Sequence, residues 1–384
     1  MKEQSINIVF SVRDYPTGMA GTKRVQHIID YLKSKDISCT VVSFRSLDFK
    51  SADKGIHNGV QFEKIGADLA FNVKNIFKIF AYYLKGICYL HNAKKSGSKN
   101  ILYIYGSTNI ESIIFILFSK VTGYRIIFDI VEDYSSFTDK VKFTSRLKNW
   151  SIRKFDMLNK YFANAIVVIS GYLYNKYNIV LKNSKPVLLI PISAENKDLK
   201  KNKNDKFTAV YSGSYGDKDG IEDLIAGFKK FHSEKKDTKL VLTGAGLSQQ
   251  KYYNMYSEDE SIHFTGYLND EDYYQIIQDA DVLCMCRRDS GFANAGFPFK
   301  LGEYLATGNP VIATIVSDVD KYLDNDSAFL VEANSKGKIF EALKKVYEDP
   351  ENANLVGLKG KEICKKYFSP DKNGEKALNL FNNI

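Results

Sequence analysis

Short apolar runs alternate with amphipathic stretches along the first 190 residues of the chain. Runs such as INIVFSV are as long as a buried strand, and they recur at 6–12, 39–44, 100–106, 125–131 and 165–170. Between them, residues 21–35 and 111–123 repeat apolar side chains every three or four positions, which is typical of a helix. Strands that alternate with helices predict a parallel sheet covered by helices on both faces.

The same alternation starts again near residue 207. Strand-like runs follow at 207–213, 239–244, 261–266, 281–286 and 310–314, and residues 221–234 and 270–280 have helical spacing. The stretch between the two sets, 191–206, is polar and aperiodic, which favours a linker.

This organisation predicts an α/β protein with two Rossmann-like domains facing across a cleft. We expect an N-terminal domain over 1–190, a linker over 191–206 and a C-terminal domain over 207–365. A final helix over 366–384 is expected to pack back towards the N-terminal domain. Ligands of such sheets bind beyond the carboxyl ends of the strands, so the cleft is the expected site.

The net charge of +9 is unevenly distributed over the 384 residues. Residues 1–200 contain 30 Lys and Arg against 16 Asp and Glu, and the remaining residues contain 24 against 29. The basic half therefore predicts an anionic partner: nucleic acid, anionic lipid or a phosphorylated acceptor. Nucleic acid is the least favoured, because a nucleic-acid groove would need basic residues in both domains.

Targeting and metal signals are weak in this sequence. The apolar run near the N-terminus is too short for a secretory signal, and no run approaches the ~20 residues that span a bilayer. Five cysteines are scattered, and the Cys-Met-Cys of 284–286 suits a strand better than the Cys-x2-Cys of a metal site. We therefore expect a cytoplasmic protein with no metal and no cofactor.

Residues 70–95 interleave aromatic and lysine side chains. Phe77 and Phe80 alternate with Lys74 and Lys78 in a helical pattern. Such a helix can lie in the interface of an anionic membrane. The alternative is a helix that packs between domains and leaves its lysines in water.

Glycines stand at four of the predicted strand ends, in PTGMAGTKRV, SGSYGDKDG, TGAG and FTGYLND. Gly18 and Gly21 lie in PTGMAGTKRV, between the first strand and a helix, where backbone N–H groups can bind phosphate and Arg24 would add charge. The spacing G-x-G-x-x-G is absent, so a plain tight turn is equally consistent. Lys218 in SGSYGDKDG could meet a diphosphate or be a solvated loop lysine. Gly266 and Tyr267 in FTGYLND could receive a base.

Acidic residues follow the predicted strand 125–131. Glu132 and Asp133 lie at its carboxyl end, where catalytic groups collect, although a cap or turn role fits a single acidic residue as well. The five histidines share no motif with a serine or cysteine, and no acidic pair has nucleotide-metal spacing. We infer no metal site.

The order of these segments resembles the retaining glycosyltransferases of family four, which have the GT-B fold and use nucleotide sugars. The resemblance runs from PTGMAGTKRV through NAIVVISGYLYNKY and VLLIPISAEN to VYSGSYGDKDGIEDLIAGF, KLVLTGAG, IHFTGYLNDEDYYQIIQDADVLCMC and FPFKLGEYLATGNPVIAT. It implies that the first domain holds the acceptor and the second holds the donor.

The resemblance also implies roles for single residues. Glu303 corresponds to the second Glu of the family's Glu-x7-Glu signature, which binds the donor ribose. Lys218 matches the diphosphate-binding lysine, and Gly18 and Gly21 match the glycine turn beside the phosphates. The base would be received by the loop of Gly266, Tyr267 and Leu268.

The chain departs from the family pattern at three places. Ala295 replaces the first Glu of the signature, and Ser214 stands near the place of a phosphate-binding arginine, which we expect Arg287 or Arg288 to replace. A variant form, F-P-x-K-x-x-E-Y, fits the segment instead and implies donor contacts from Gly296, Phe297, Pro298, Lys300 and Leu301. The family's acceptor-side histidine has no counterpart, and Glu132 and Asp133 occupy about its place.

Together these matches imply a retaining, metal-independent glycosyltransferase. Its donor would be a nucleotide-diphosphate sugar, and its acceptor a glycan or a polyprenyl-diphosphate-linked glycan of capsule or lipopolysaccharide assembly. Glu132, Asp133 and Lys218 are the catalytic candidates, since cations can stabilise the leaving diphosphate. The alternatives are a GT-B-fold sugar-nucleotide 2-epimerase and a non-catalytic binder of nucleotide sugar or nucleic acid.

Overall fold

The structure, a computed structural model, describes residues 5–46, 52–69, 74–109, 112–133, 154–246 and 248–384. The chain divides into two compact units. The first comprises Met1–Pro191 and Pro370–Ile384, and the second comprises Ile192–Ser369.

The first unit is built on an eight-stranded sheet. Its strands are β1 (Ile6–Ser11), β2 (Ser38–Ser43), β3 (Lys54–His57), β4 (Val60–Lys64), β5 (Lys99–Tyr105), β6 (Arg125–Ile130), β7 (Ala165–Val168) and β8 (Val187–Leu189). They are arranged in the order β3-β4-β2-β1-β5-β6-β7-β8, and every neighbouring pair is parallel except β3 and β4. The central strands are buried on both faces, which explains why they are continuous apolar runs.

Helices of the first unit come from both ends of the chain. They include α1 (Ala20–Lys33), α2 (Ile76–Ala93), α3 (Ile113–Val121), α4 (Asn159–Phe162), α5 (Gly171–Leu181) and, from the C-terminus, α14 (Pro370–Asn383). Ala377, Leu380 and Phe381 of α14 belong to the same core as Ile8 and Val25. The helix expected over 366–384 thus begins at Pro370.

The second unit repeats the strand arrangement. Its strands are β9 (Phe207–Ser212), β10 (Thr238–Thr243), β11 (Ile262–Gly266), β12 (Val282–Met285), β13 (Val311–Thr314) and β14 (Phe329–Val331), in the order β11-β10-β9-β12-β13-β14 and all parallel. In each sheet the chain moves outward from one central strand and then returns to the centre. The order reverses between β1 and β5 in the first unit and between β9 and β12 in the second. The α/β prediction with two Rossmann-like sheets is confirmed.

Helices of the second unit complete the alternation. They include α6 (Ile221–Glu234), α7 (Gln249–Tyr256), α8 (Asp270–Asp279), α9 (Gly291–Ala295), α10 (Phe299–Thr307), α11 (Val319–Tyr322), α12 (Lys336–Glu348) and α13 (Pro350–Tyr367). Of the expected linker 191–206, all residues from Ile192 onward are part of this unit. Lys201 donates to the carbonyl of Ala280 and to Asn309, and Asn202 binds Asp279. Within the described residues no helix is long and apolar enough to cross a membrane.

Candidate functional site

Two loops meet where the strand order of the second sheet reverses. One follows β9 and contains a 3-10 turn, Asp217–Asp219, and the other follows β12 and contains Arg287 and Arg288. Gly220, at φ +63°, joins the first loop to α6, and a Cβ there would overlap the carbonyl oxygen of Cys286. Only glycine allows this close approach in the left-handed region. The reversal point is where sheets of this type bind ligands.

Lys300 extends from the first turn of α10 into this place. Its ammonium lies 3.3 Å from Asp219 Oδ1 and 4.2 Å from the centre of the Tyr211 ring. The Lys300 side chain is 17% exposed. Burial lowers the pKa of Lys300, the negative charge of Asp219 opposes that effect, and the charges of Arg287 and Lys218 add to it.

Asp219 is the counter-charge at the centre of the cluster. Its Oδ2 accepts hydrogen bonds from the Gly216 N–H at 3.0 Å and from Ser214 Oγ at 3.1 Å. Burial acts to raise the pKa of Asp219, but Lys300, the Gly216 N–H, Lys218 and Arg287 hold that pKa below its ordinary value. The carboxylate therefore stays charged near neutral pH.

Three further cations of this unit, Lys218, Arg287 and Arg288, were predicted to bind phosphate, and they differ in the contacts that they make within the protein. Lys218 places its ammonium 4.9 Å from the Phe292 ring centre. Arg287 is 7% exposed and donates weakly, at 3.4 Å, to the carbonyl of Ala293. Arg288 lies 2.9 Å from Glu222 and 3.4 Å from Asp223, and both of these carboxylates belong to the first turn of α6. Arg287 and Lys218 thus join Lys300 around Asp219, whereas Arg288 is committed to α6.

Glu303 lies one helical turn beyond Lys300 on α10. It is half-buried and accepts hydrogen bonds from the Tyr273 hydroxyl at 2.7 Å and from the Tyr274 hydroxyl at 3.3 Å. Burial and the Glu303 charge raise the pKa of Tyr273 well above its usual value. These two tyrosines of α8 were not predicted, because two aromatic residues in a polar helix give no local sign of a distant carboxylate.

The residues around Glu303 fix its helix. Phe297 packs against Tyr322 and Phe368, and Leu301 is fully buried, so the side chains of both belong to the core. Pro298 caps α10 and Gly296 caps the preceding helix. Any donor contact of Gly296, Phe297, Pro298 or Leu301 must therefore come from the backbone. Ala295, where the signature would have a Glu, is fully buried.

The loop after β11 contains the predicted base-binding residues. Gly266 ends the strand with φ +72°, and its carbonyl accepts hydrogen bonds from Gly244 N and Thr243 Oγ1. Tyr267 is 73% exposed, and Leu268 is half-buried. This loop lies two strands away from β9 in the sheet.

Arg24 in the first unit does not have the predicted role. Its guanidinium is buried against Asp129, with Nε 2.8 Å from Oδ2, and it also donates to the carbonyls of Ile190 and Pro191. Side-chain exposures are 1% for Arg24 and 0% for Asp129. The structure therefore corrects the phosphate-contact prediction: these donors already have partners inside the protein.

The neighbouring glycines have packing roles. A Cβ on Gly21 would overlap the ring of Tyr105, and one on Gly18 would overlap Thr22. Gly18 lies between β1 and α1, whereas Gly21, which was predicted to lie in the turn, is the second residue of α1. The close contacts are a sufficient reason for glycine there, whether or not a phosphate binds.

The acidic pair after β6 is also engaged. Asp133 is 1% exposed, and its two oxygens accept hydrogen bonds from Lys176 at 2.7 Å and from Tyr172 at 2.8 Å. The hydrogen bond to Asp133 raises the pKa of Tyr172, so its hydroxyl stays protonated. Glu132 is half-buried. Sequence reasoning missed Lys176 and Tyr172, which lie on α5 and reach Asp133 only in the folded chain.

No group of three or more histidine, cysteine or acidic residues suited to a metal ion exists among the described residues.

Parts of this chain are similar to known glycosyltransferases. The family model for glycosyl transferases group 1 matches residues 193–362. The chain is 23% identical over 164 residues to a GDP-mannose-dependent monoacylated alpha-(1-6)-phosphatidylinositol monomannoside mannosyltransferase of Corynebacterium glutamicum, covering 42% of this chain and 43% of the relative. It is 23% identical over 184 residues to the capsular polysaccharide biosynthesis glycosyltransferase CapM of Staphylococcus aureus, covering 47% of each.

Among solved structures, sucrose-phosphate synthase from Thermosynechococcus elongatus has a similar fold. The TM-score is 0.77 at 15% identity, and the comparison covers 99% of both chains. The sequence similarity to the two curated relatives, in contrast, spans less than half of their length.

Proposed function

Since residues 193–362 match the family model for glycosyl transferases group 1 and the chain has the GT-B fold, we propose that this protein transfers a sugar from a nucleotide-diphosphate donor to a glycan or lipid-linked acceptor. We assign it to surface polysaccharide assembly at the cytoplasmic face of a membrane, with retention of configuration and without a metal. The observation that carries the proposal is the cation cluster of Lys300, Lys218 and Arg287 beside the half-buried carboxylate of Glu303.

The donor would be bound by two features of α10 and its neighbours. The leaving diphosphate develops negative charge as its bond to the sugar breaks, and the ammonium groups of Lys300 and Lys218 with the Arg287 guanidinium stabilise that charge. Glu303 accepts hydrogen bonds from the ribose hydroxyls, since a carboxylate offers about four acceptor positions. The loop of Gly266, Tyr267 and Leu268 receives the base.

The acceptor would be oriented by the residues after β6. Glu132 is the carboxylate that we propose to contact the acceptor hydroxyl, and Asp133 holds Lys176 and Tyr172 in place. Gly18 and Gly21 allow the backbone after β1 to approach the donor phosphates.

A thermal-shift panel of nucleoside diphosphates and nucleotide sugars tests donor binding. A ligand at 100 times its dissociation constant stabilises the protein by about 2.7 kcal/mol. Glu303→Gln should weaken the response to the active nucleotide, whereas Glu271→Gln, an exposed carboxylate on α8, should leave it unchanged. A protein that responds to no nucleotide would not be a glycosyltransferase of this kind.

Product analysis separates the alternatives. A transferase releases the nucleoside diphosphate only when an acceptor glycan is added, and the sugar appears on the acceptor. A 2-epimerase would instead convert the nucleotide sugar to its C2 epimer without an acceptor. A non-catalytic binder would give the thermal shift and no product in either assay.

The first unit exposes an apolar surface that fits a membrane interface. Of the stretch 70–95, residues 70–73 lie outside the described part of the chain. On α2, Phe77 is 84% exposed and Phe80 is 62% exposed, and the neighbouring α3 exposes Val121 at 86%. Lys74, just before α2, and Lys78, within α2, are exposed as well. Apolar side chains flanked by lysines favour an anionic lipid surface.

Vesicle sedimentation tests this contact. The protein should bind vesicles that contain phosphatidylglycerol, and binding should weaken with salt. A Phe77→Ser and Phe80→Ser double variant should lose the binding, whereas Ile56→Ser, at a site on β3 that is 70% exposed, should retain it. Equal binding by all three proteins would exclude α2 as the contact.

A further inference from the structure

The Lys218 side chain of the proposed donor site lies against an aromatic ring. Its ammonium is 4.9 Å from the centre of the Phe292 ring. Phe292 is half-buried and belongs to α9, the short helix that follows β12. An ammonium over the face of such a ring is attracted by the electrons of the ring, so this contact restricts where the charge of Lys218 can lie.

The backbone of Lys218 is held by the same loop. The Arg288 N–H donates a hydrogen bond of 2.9 Å to the Lys218 carbonyl. Two residues after Lys218, Gly220 packs against the carbonyl of Cys286. Residues that follow β12 therefore contact Lys218 at both ends, at its carbonyl and at its ammonium.

Contacts at both ends of α9 fix the helix that carries the ring. Ser290 Oγ accepts a hydrogen bond from the Ala293 N–H at 3.1 Å, at the start of the helix. Near its end, the Asn294 side chain donates to Asp289 at 2.6 Å and accepts from the Ser317 N–H at 2.9 Å. A ring on a helix fixed in this way is a rigid surface for the ammonium, whereas a lysine side chain by itself has many rotamers.

We propose that Phe292 is a positioning residue for the donor diphosphate: its ring holds the Lys218 ammonium in place before the ligand binds. The inference rests on the proposed function. The ring attracts the ammonium without adding a negative charge, and an ammonium has three N–H groups, so it can contact a ring and a phosphate oxygen at the same time. Because the lysine is already ordered, less free energy is lost in ordering it when the ligand binds.

Two other roles of Phe292 would have different consequences. If the ring only packs α9 in place, its loss should weaken ligand binding whether or not the Lys218 ammonium is present. If the ring contacts the transferred sugar, its loss should weaken binding of the nucleotide sugar and leave binding of the nucleoside diphosphate unchanged. The dependence on ligand and on Lys218 therefore separates the three roles.

The test is a double-mutant cycle on ligand affinity, measured by titration calorimetry with two pairs of probes, UDP with UDP-glucose and GDP with GDP-mannose. Phe292→Leu changes no charge, so the exposed carboxylates of Asp217 and Asp289 act alike in both proteins. For the pair that the wild type binds, the affinity for both members should fall about two- to fivefold. In a Lys218→Met background the same substitution should have no effect, because no ammonium remains for the ring to hold.

Three further variants complete the design. Phe292→Tyr keeps an aromatic ring and should bind both members of the pair as the wild type does. Tyr256→Leu, on α7, removes a half-buried ring that lies 5.4 Å from the Lys229 ammonium in the same unit, and it should leave both affinities unchanged. Phe292→Met takes the place of Phe292→Leu if that protein does not fold, because Met is a flexible apolar side chain without a ring.

Four results would overturn the inference. They are unchanged affinity in Phe292→Leu, an equal loss with and without the Lys218 ammonium, a loss confined to the nucleotide sugar, and a folded Phe292→Tyr that binds as weakly as Phe292→Leu.

The same titrations separate this inference from the proposed function. If the wild type binds neither pair, the proposed function fails and the role of Phe292 in it fails as well. If the wild type binds one pair and any of the four results is found, only the role of Phe292 is refuted.

Discussion

Each unit of the protein contains a cation paired with a buried aspartate, and the two pairs have different surroundings. In the first unit Arg24 meets Asp129 with both side chains at most 1% exposed, and two backbone carbonyls accept further hydrogen bonds from its guanidinium. In the second unit Lys300 meets Asp219 at 3.3 Å, remains 17% exposed and lies beside two further cations. The Arg24–Asp129 pair is therefore enclosed within the fold, whereas the Lys300–Asp219 pair is partly accessible and can meet an anion.

The comparison separates a structural cation, Arg24, from Lys300, which we propose to bind a ligand. Both residues follow glycine-bearing segments in the sequence. Arg24 was predicted to contact phosphate, and Lys300 was predicted to contact the donor. Removal of Arg24 would leave a buried aspartate without its partner, which is costly to folding. Removal of Lys300 would leave Asp219 with Lys218 and Arg287 nearby, so the main loss should be in ligand binding.

Arg24→Ala is expected to have the largest effect, a loss of about 3–5 kcal/mol in the free energy of unfolding, because it leaves Asp129 buried and unpaired. Urea unfolding of the variant measures this loss. Arg13→Ala is the matched control, since Arg13 pairs with Asp68 but its side chain is 52% exposed, and surface pairs contribute about 0–1 kcal/mol. Equal losses in the two variants would show that the Arg24 pair is not a structural element.

Lys300→Ala is expected to weaken nucleotide binding by about ten- to a hundredfold, since a hydrogen bond to a charged group contributes about 1.5–3 kcal/mol. Calorimetric titration with the nucleotide identified in the thermal-shift panel measures the change. Lys321→Ala serves as control, because Lys321 pairs with Asp318 in the same unit but is 61% exposed. Similar affinities in all three proteins would remove Lys300 from the site.

Local patterns predicted most of the two sheets. The strands at 6–12 and 207–213 and the helix at 221–234 appear within one or two residues of their predicted bounds, because burial on both faces of a strand produces a continuous apolar run. The β3–β4 hairpin was missed, although Asn58 and Gly59, both at positive φ, form the Asn-Gly turn that signals a hairpin. Its strands are short and mostly polar.

The site could be predicted only where one segment contains its residues. Lys300 and Glu303 lie on one helix and in one sequence motif, so the motif predicted both as donor contacts. Arg24 and Asp129 are 105 positions apart, and Lys300 and Asp219 are 81 apart. Since nothing local in the sequence reports such pairings, the closed arginine and the accessible lysine could not be told apart before the fold was known.

Tyr273→Phe is expected to weaken nucleotide binding by about threefold to tenfold, because one hydrogen bond that orients Glu303 is lost, worth about 0.5–1.5 kcal/mol. Tyr274→Phe should have a smaller effect, since its hydroxyl lies 3.3 Å from Glu303 compared with 2.7 Å for Tyr273. The same titration measures both. The reverse order would mean that Tyr274 is the residue that orients the carboxylate.

The smallest expected effect is a pH dependence that separates Lys300 from an arginine at the same position. Because burial lowers the pKa of Lys300, its ammonium loses the proton below the ordinary lysine value of about 10.4, and nucleotide affinity should fall as the pH rises through that lowered pKa. The phenols of Tyr211 and Tyr304 have raised pKa values, so they stay neutral in this window. In Lys300→Arg the guanidinium remains charged, and the affinity should stay level from pH 7 to about 9.5. Titrations of both proteins across that range measure the difference, and a parallel decline in both would assign the pH dependence to another group.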